Sequence, residues 1–68
     1  MKKYYVNNQA QSDGHYEVHN ESCAFLHLVE SKKYLGDFFF CTVAIKEAKK
    51  FYMKVDGCRF CSLSCYKR

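Results

Sequence analysis

Alternating apolar and polar positions near the N-terminus predict two strands joined by a turn. Residues 3–8 are rich in aromatic and β-branched side chains, and the polar stretch that follows ends in an Asp-Gly dipeptide, which is typical of turns. In residues 15–19, Tyr16 and Val18 share one face, while two histidines and a glutamate share the other. We therefore expect a strand, a turn and a second strand whose histidines point the same way.

The pattern changes in the second half of the chain. Residues 32–36 are typical of a polar turn, and residues 37–40 of a short third strand. From residue 42 the apolar period lengthens from two to 3.6, which predicts an amphipathic helix of about three turns. Its apolar face consists of Ala44, Ile45, Ala48, Phe51, Tyr52 and Val55.

The predicted helix has signals at both ends. Thr42 or Cys41 is the expected N-cap, and Gly57 is the expected left-handed residue after the last turn. The predicted fold class is α+β, with a two- to three-stranded antiparallel sheet, one main helix and a C-terminal Cys-x2-Cys knuckle followed by a short helical turn. Residues 1–68 are predicted to form a single domain.

The size of the chain limits what it can do. A domain of 68 residues buries only roughly 60% of the surface that its unfolded chain exposes, which excludes a large enzyme built around a deep pocket. Such a small core only narrowly offsets the conformational entropy of folding, so we expect an additional cross-link. The five cysteines can supply one.

The N-terminus and the cysteine count indicate the compartment. Two lysines near the N-terminus are not followed by an apolar stretch of secretory length, and the longest apolar run, residues 38–41, is too short to span a bilayer. We therefore expect a cytoplasmic protein without a membrane partner, whose thiols stay reduced and bind metal. A disulfide framework remains the alternative for a chain outside the cell.

The basic residues are concentrated towards the C-terminus. The formal net charge is +4, and residues 46–68 hold seven basic and two acidic side chains. The favoured interpretation is a solvated helix face, and the alternative is an interface for phosphate groups. The seven residues are Lys46, Lys49, Lys50, Lys54, Arg59, Lys67 and Arg68.

Two pairs of residues have the spacing of metal ligands. His19 and Cys23 are separated by three residues, and Cys58 and Cys61 form a Cys-x2-Cys pair after a glycine. Thiolates and imidazole together favour zinc over hard cations, and two such pairs complete a tetrahedron. Cys41, next to three phenylalanines, is instead interpreted as a buried hydrophobic residue.

These motifs resemble the Ada-like metal-binding domain. The similarity covers roughly residues 15–66 and consists of four segments in order: Val18-His19-Asn20-Glu21-Ser22-Cys23-Ala24-Phe25-Leu26, Tyr34-Leu35-Gly36-Asp37-Phe38, a helix containing Ala44, and Asp56-Gly57-Cys58-Arg59-Phe60-Cys61. Small stand-alone bacterial proteins of unassigned role are similar too. The resemblance implies a zinc ion held by His19, Cys23, Cys58 and Cys61.

Two positions depart from that family or compete with its ligands. The members that repair DNA accept a methyl group on a cysteine at the first ligand position, which is His19 here, and imidazole is a poor acceptor. We therefore expect no enzyme activity. Cys65 lies one helical turn after Cys61 and is an alternative ligand in place of His19. His15 and His27 are interpreted as ordinary surface histidines.

The predicted function is that of a small zinc-binding interaction module with a structural metal. Four protein ligands leave no open position for a substrate water, which argues against hydrolysis. A nucleic-acid-binding domain that uses the basic C-terminal third is the alternative, and a zinc-thiolate methyl acceptor is a third hypothesis. The partner, a nucleic acid or a protein, and the oligomeric state stay open.

Overall fold

The computed structural model describes residues 1–67 and contains four strands and one α-helix. In chain order the elements are β1 (Lys2–Asn7), β2 (Tyr16–Asn20), a 3-10 turn (Leu26–Leu28), β3 (Lys32–Phe38), α1 (Cys41–Ala48), β4 (Val55–Gly57) and a second 3-10 turn (Leu63–Cys65). The predicted α+β class is confirmed, with its single main helix and the short helical turn after the Cys-x2-Cys pair.

The strands form one mixed sheet in the order β3-β1-β2-β4. β1 pairs antiparallel with β2, as expected for consecutive strands joined by a turn, and it also pairs antiparallel with β3, which is not its neighbour in the chain. The fourth strand, β4, was not expected from the sequence, and it pairs parallel with β2, with Val18 opposite Gly57. The sheet therefore has one strand more than the two to three predicted, it is mixed and not purely antiparallel, and β1 and β2 are its interior strands.

The third strand begins earlier than the sequence indicated. Residues 32–36 were predicted as a polar turn, but they pair with β1 from Asn7 opposite Lys32 onwards. The strand is irregular near Gly36, which has a φ of 137°, a conformation that glycine adopts readily. β3 ends at Phe38, so Phe39 and Phe40 lie outside it and are exposed.

The helix is shorter than its apolar period suggested. α1 ends at Ala48 after eight residues, and its N-cap is Phe40, not Cys41 or Thr42. Beyond the helix, Tyr52 stacks on Tyr16 with ring centroids 3.9 Å apart and donates a hydrogen bond to Asn8. These contacts hold the chain in a turn, and the expected helix-ending glycine, Gly57, lies in β4 instead.

The core lies between the sheet and α1. Val6, Val18, Ala44 and Ala48 are completely buried there. A disulfide joins Cys41, the first residue of α1, to Cys65, with Cα atoms 6.3 Å apart. Cys41 is buried as predicted, but the expectation that all five thiols are reduced is wrong for this pair.

No helix within residues 1–67 has the length and apolar character needed to cross a bilayer.

Candidate metal centre

The parallel pairing of β2 and β4 brings two distant parts of the chain to one edge of the sheet. His19 is the penultimate residue of β2, and Cys58 directly follows β4. The Cys58 amide donates a hydrogen bond of 2.9 Å to the Val18 carbonyl, which extends the pairing by one residue. Because β2 and β4 run in the same direction, the turns that follow them leave the sheet side by side, and these turns carry Cys23 and Cys61.

The side chains of His19, Cys23, Cys58 and Cys61 converge at this edge. Their candidate ligand atoms all lie within 4.8 Å of one another. The Cys23 sulfur is 3.6 Å from Nδ1 of His19 and 3.9 Å from the Cys58 sulfur. The Cys61 sulfur is 3.9 Å from the same Nδ1 atom. The two ligand pairs predicted from sequence spacing are thus brought together in one group that is placed to hold a metal ion.

Three of these separations are close to the edges of a metal-centred tetrahedron. A metal about 2.3 Å from each sulfur and about 2.0–2.1 Å from an imidazole nitrogen separates its ligand atoms by about 3.6–3.8 Å. The Cys23–Nδ1 distance fits that range, the Cys23–Cys58 distance is about 0.1 Å longer than a sulfur–sulfur edge, and the Cys61–Nδ1 distance is about 0.3 Å longer than a sulfur–nitrogen edge. His19, Cys23 and Cys58 are buried, and Cys61 is half-buried, so one edge of the group faces solvent.

Asn20 connects the turn that carries Cys23 to the turn that carries Cys61, a role that was not predicted from the sequence. Its side-chain nitrogen, Nδ2, donates a hydrogen bond of 2.9 Å to the Cys61 carbonyl, and its side-chain oxygen accepts one from the backbone N–H of Ser22. Its backbone N–H also points at the Cys61 sulfur, 3.4 Å away. The Asn-x-Ser order, which is typical of an Asx turn, was the signal that could have revealed it.

A second backbone N–H supports the Cys-x2-Cys turn. The Phe60 amide lies 3.4 Å from the Cys58 sulfur, and the Ser62 amide donates to the Cys58 carbonyl. The rings of Phe60 and Phe25 pack at 4.6 Å, and each ring belongs to a turn that carries a ligand. The two ligand turns therefore contact each other through side chains as well as through the cluster.

Burial favours the uncharged forms of His19, Cys58 and Cys61 when no metal is bound. Desolvation lowers the pKa of His19, an effect that the nearby Glu17 carboxylate opposes. Desolvation raises the pKa of Cys58 above its ordinary value, and raises the pKa of Cys61 to about 12 despite the Asn20 N–H. Metal binding therefore has to displace protons from these thiols.

Glu17 lies behind His19. Nδ1 of His19 faces the sulfurs, and its other nitrogen, Nε2, is 3.7 Å from a carboxylate oxygen of Glu17. A carboxylate on the far side of a ligating imidazole fixes its tautomer and orientation. At 3.7 Å the contact is longer than a hydrogen bond, and Nε2 has no hydrogen-bond partner among the described residues, so Glu17 acts on His19 through its charge.

The remaining candidate ligands lie elsewhere. Cys65 is bonded to Cys41, so it carries no thiolate, and the alternative site with Cys65 in place of His19 does not match the structure. The 3-10 turn places Cys65 next to the first residue of α1, Cys41, to which its sulfur is bonded. His15 lies 3.3 Å from Asp13, and His27 is exposed, so neither joins the group.

Comparisons with models of known families, with curated proteins and with solved structures find no match to this chain.

Proposed function

We propose that the protein is a small zinc-binding interaction module in which the metal is structural. The observation that carries this proposal is the convergence of one imidazole and three thiols at near-tetrahedral separations. Soft sulfur ligands together with imidazole favour zinc, whereas hard cations such as Mg²⁺ and Ca²⁺ require oxygen ligands.

Four protein ligands define the role of the metal. They fill a tetrahedron and leave no position for a water or a substrate, which is the arrangement of structural rather than catalytic zinc. Zinc binding of this type contributes about 10–16 kcal/mol in small domains, which is comparable to the whole stability of an ordinary domain. The metal therefore supplies folding energy that a core of this size lacks.

The relationship to the Ada-like metal-binding domain is part of the same proposal. It is supported by the order of the four ligands along the chain and by the placement of the helix between the two pairs. With His19 at the position of the methyl-accepting cysteine, the proposed role is binding and not methyl transfer.

The test is metal analysis combined with controlled metal removal. We expect one zinc per chain after purification, and loss of helix and sheet signals in circular dichroism when a chelator in excess removes it. Replacement by Co²⁺ should give the absorption bands of a tetrahedral, thiolate-bound ion. A protein that contains no metal and keeps its spectrum in chelator would sink the proposal.

A matched pair of variants separates ligand loss from cysteine loss. Cys61→Ser removes one ligand of the group, whereas Cys41→Ala combined with Cys65→Ala removes two cysteines outside it. We expect the first variant to lose tight zinc binding and the second to keep one zinc per chain. Equal zinc affinity in both variants would show that the four-residue group is not the site.

A further inference from the structure

Five lysines lie on β3, on α1 and on the segment that follows α1, and this group is called here the basic stripe. It consists of Lys33, Lys46, Lys49, Lys50 and Lys54. One acidic residue, Glu47, belongs to the same surface and contacts Lys50 at 3.0 Å. The stripe thus has a formal charge of +4, which equals the charge of the whole chain. The other six basic and six acidic residues of the sequence cancel.

The stripe is drawn from β3, from α1 with its C-terminal turn, and from the segment before β4, where the Lys54 side chain lies next to Gly14. Lys46, Lys49 and Lys50 are spaced by three and four residues along α1 and its C-terminal turn, so they are neighbours on one exposed side. Lys33 reaches the same place from β3, with its Nζ atom 4.8 Å from the centre of the Phe51 ring. The clustering of Lys33 with the helix is visible only in the folded protein.

Apolar side chains project from the middle of the stripe. Phe51 is 51% exposed and Met53 is 95% exposed, between Lys50 and Lys54. The neighbouring Tyr52 has its ring stacked on Tyr16 and its hydroxyl bonded to Asn8, so it is engaged inside the domain. Phe51 is therefore the aromatic ring that the stripe presents to a partner.

We infer that the basic stripe binds single-stranded nucleic acid. Lysines along a surface neutralise successive phosphates, and an exposed ring among them provides a face for an unpaired base, which a duplex keeps stacked inside its helix. The stripe lies on β3, on α1 and on the segment that follows α1, and it contains none of the four candidate metal ligands. Binding of nucleic acid is therefore a function separate from the proposed structural zinc. The stripe differs from the set expected from sequence because it includes Lys33. Of that set, Arg59 lies in the Cys-x2-Cys turn, Lys67 lines the same pocket as Lys49, and Arg68 lies outside the described residues.

The first experiment measures binding of the zinc-loaded protein to a fluorescent 15-nucleotide oligothymidine by anisotropy. If all five lysines contact phosphates, the affinity falls with a log-log salt slope of about −3.5 for a single strand. This slope corresponds to about a 100-fold loss of affinity between 50 and 200 mM salt. Zinc content is measured on the same samples, so failure of the metal site and failure of the stripe are distinguishable.

Two triple variants with the same net charge provide the control. The stripe variant carries Lys46→Gln, Lys49→Gln and Lys54→Gln. The control variant carries Lys2→Gln, Lys3→Gln and Lys32→Gln, which lie on β1 and at the start of β3 and are not part of the stripe. We expect the stripe variant to bind at least tenfold more weakly at 50 mM salt and to have a slope smaller by about 2, and we expect the control to stay near wild type. Equal losses in both would overturn the inference, because binding would then depend only on net charge.

A variant of the exposed ring tests the base contact. Phe51→Leu keeps an apolar side chain but removes the ring, and we expect about a tenfold loss of affinity, as for one stacked base. Unchanged binding by this variant would refute a single-strand site. Tighter binding to a duplex of the same length would also refute it. So would binding to vesicles containing phosphatidylserine that depends on the stripe, if the protein does not bind the oligonucleotide.

Discussion

Removal of the Cys41–Cys65 disulfide is the most direct test of how the C-terminal segment is held. The bond joins the start of α1 to the turn that follows the metal ligands, across a sequence separation of 24 residues. The perturbation is the double substitution Cys41→Ala and Cys65→Ala, which avoids placing a hydroxyl at two buried positions.

The expected loss follows from the length of the closed loop. Cross-linking residues 24 apart reduces the entropy of the unfolded chain by an amount worth about 3.5 kcal/mol at 25 °C. The lost contacts of two buried sulfurs add to this value. A chain of 68 residues has a total stability on the order of 3–10 kcal/mol before metal binding, so the variant loses a large part of it.

The assay is urea unfolding of both proteins in a fixed excess of zinc, followed by circular dichroism. The midpoint should fall while the dependence on urea stays similar, and the zinc content should stay at one per chain because Cys65 is not in the ligand group. An independent check counts thiols in denatured, metal-free wild type, where three are expected. A count of five, or a stability loss below about 1 kcal/mol, would refute the reasoning.

Three further predictions concern the metal centre. Gly57→Ala should destabilise the protein by about 1–3 kcal/mol in thermal unfolding. The added Cβ would lie 2.6 Å from the Ser62 carbonyl oxygen and 2.7 Å from the Cys65 Cβ, and an unchanged melting temperature would contradict this close approach. Glu17→Gln should weaken zinc affinity by about tenfold in chelator competition, since it removes the charge behind His19, whereas Asp13→Asn, whose side chain contacts His15, should not. Zinc affinity should rise with pH between 7 and 9, and binding should release at least two protons. The reason is that burial raises the pKa of Cys58 and Cys61, so both thiols are protonated in this range, whereas the lowered pKa of His19 keeps its ring neutral. Titration calorimetry in buffers of different ionisation enthalpy measures the number of protons, and release of fewer than two would contradict this prediction.

The four residues of the candidate metal centre were predictable because their signal is local. His19 and Cys23 lie within one turn, and Cys58 and Cys61 within another, so each spacing is a property of a short segment. Their convergence depends on β4, a strand of three residues, which is too short to show the period-two alternation of a strand. The sequence therefore predicted the ligand group but not the strand that assembles it.

The disulfide and the ends of α1 depend on tertiary contacts. Cys41 and Cys65 are not close in sequence, and the pairing of several cysteines cannot be derived from their positions alone. The apolar period continues past Ala48, but Tyr52 is used by a stack on Tyr16 rather than by another helical turn. Such contacts override local propensity, which is only a weak preference.

The parallel pairing of β2 and β4 also has a consequence for the order of events during synthesis. The contacts within the metal centre join residues 35 and 42 positions apart, so a nascent chain that has emerged only as far as β3 offers His19 and Cys23 but neither partner cysteine. Two ligands hold zinc far more weakly than four, and pairs so distant in sequence form slowly because a long loop has to close first. The proposed metal binding is therefore a late step, and α1, which lies between the two candidate ligand pairs, emerges before all four residues are available.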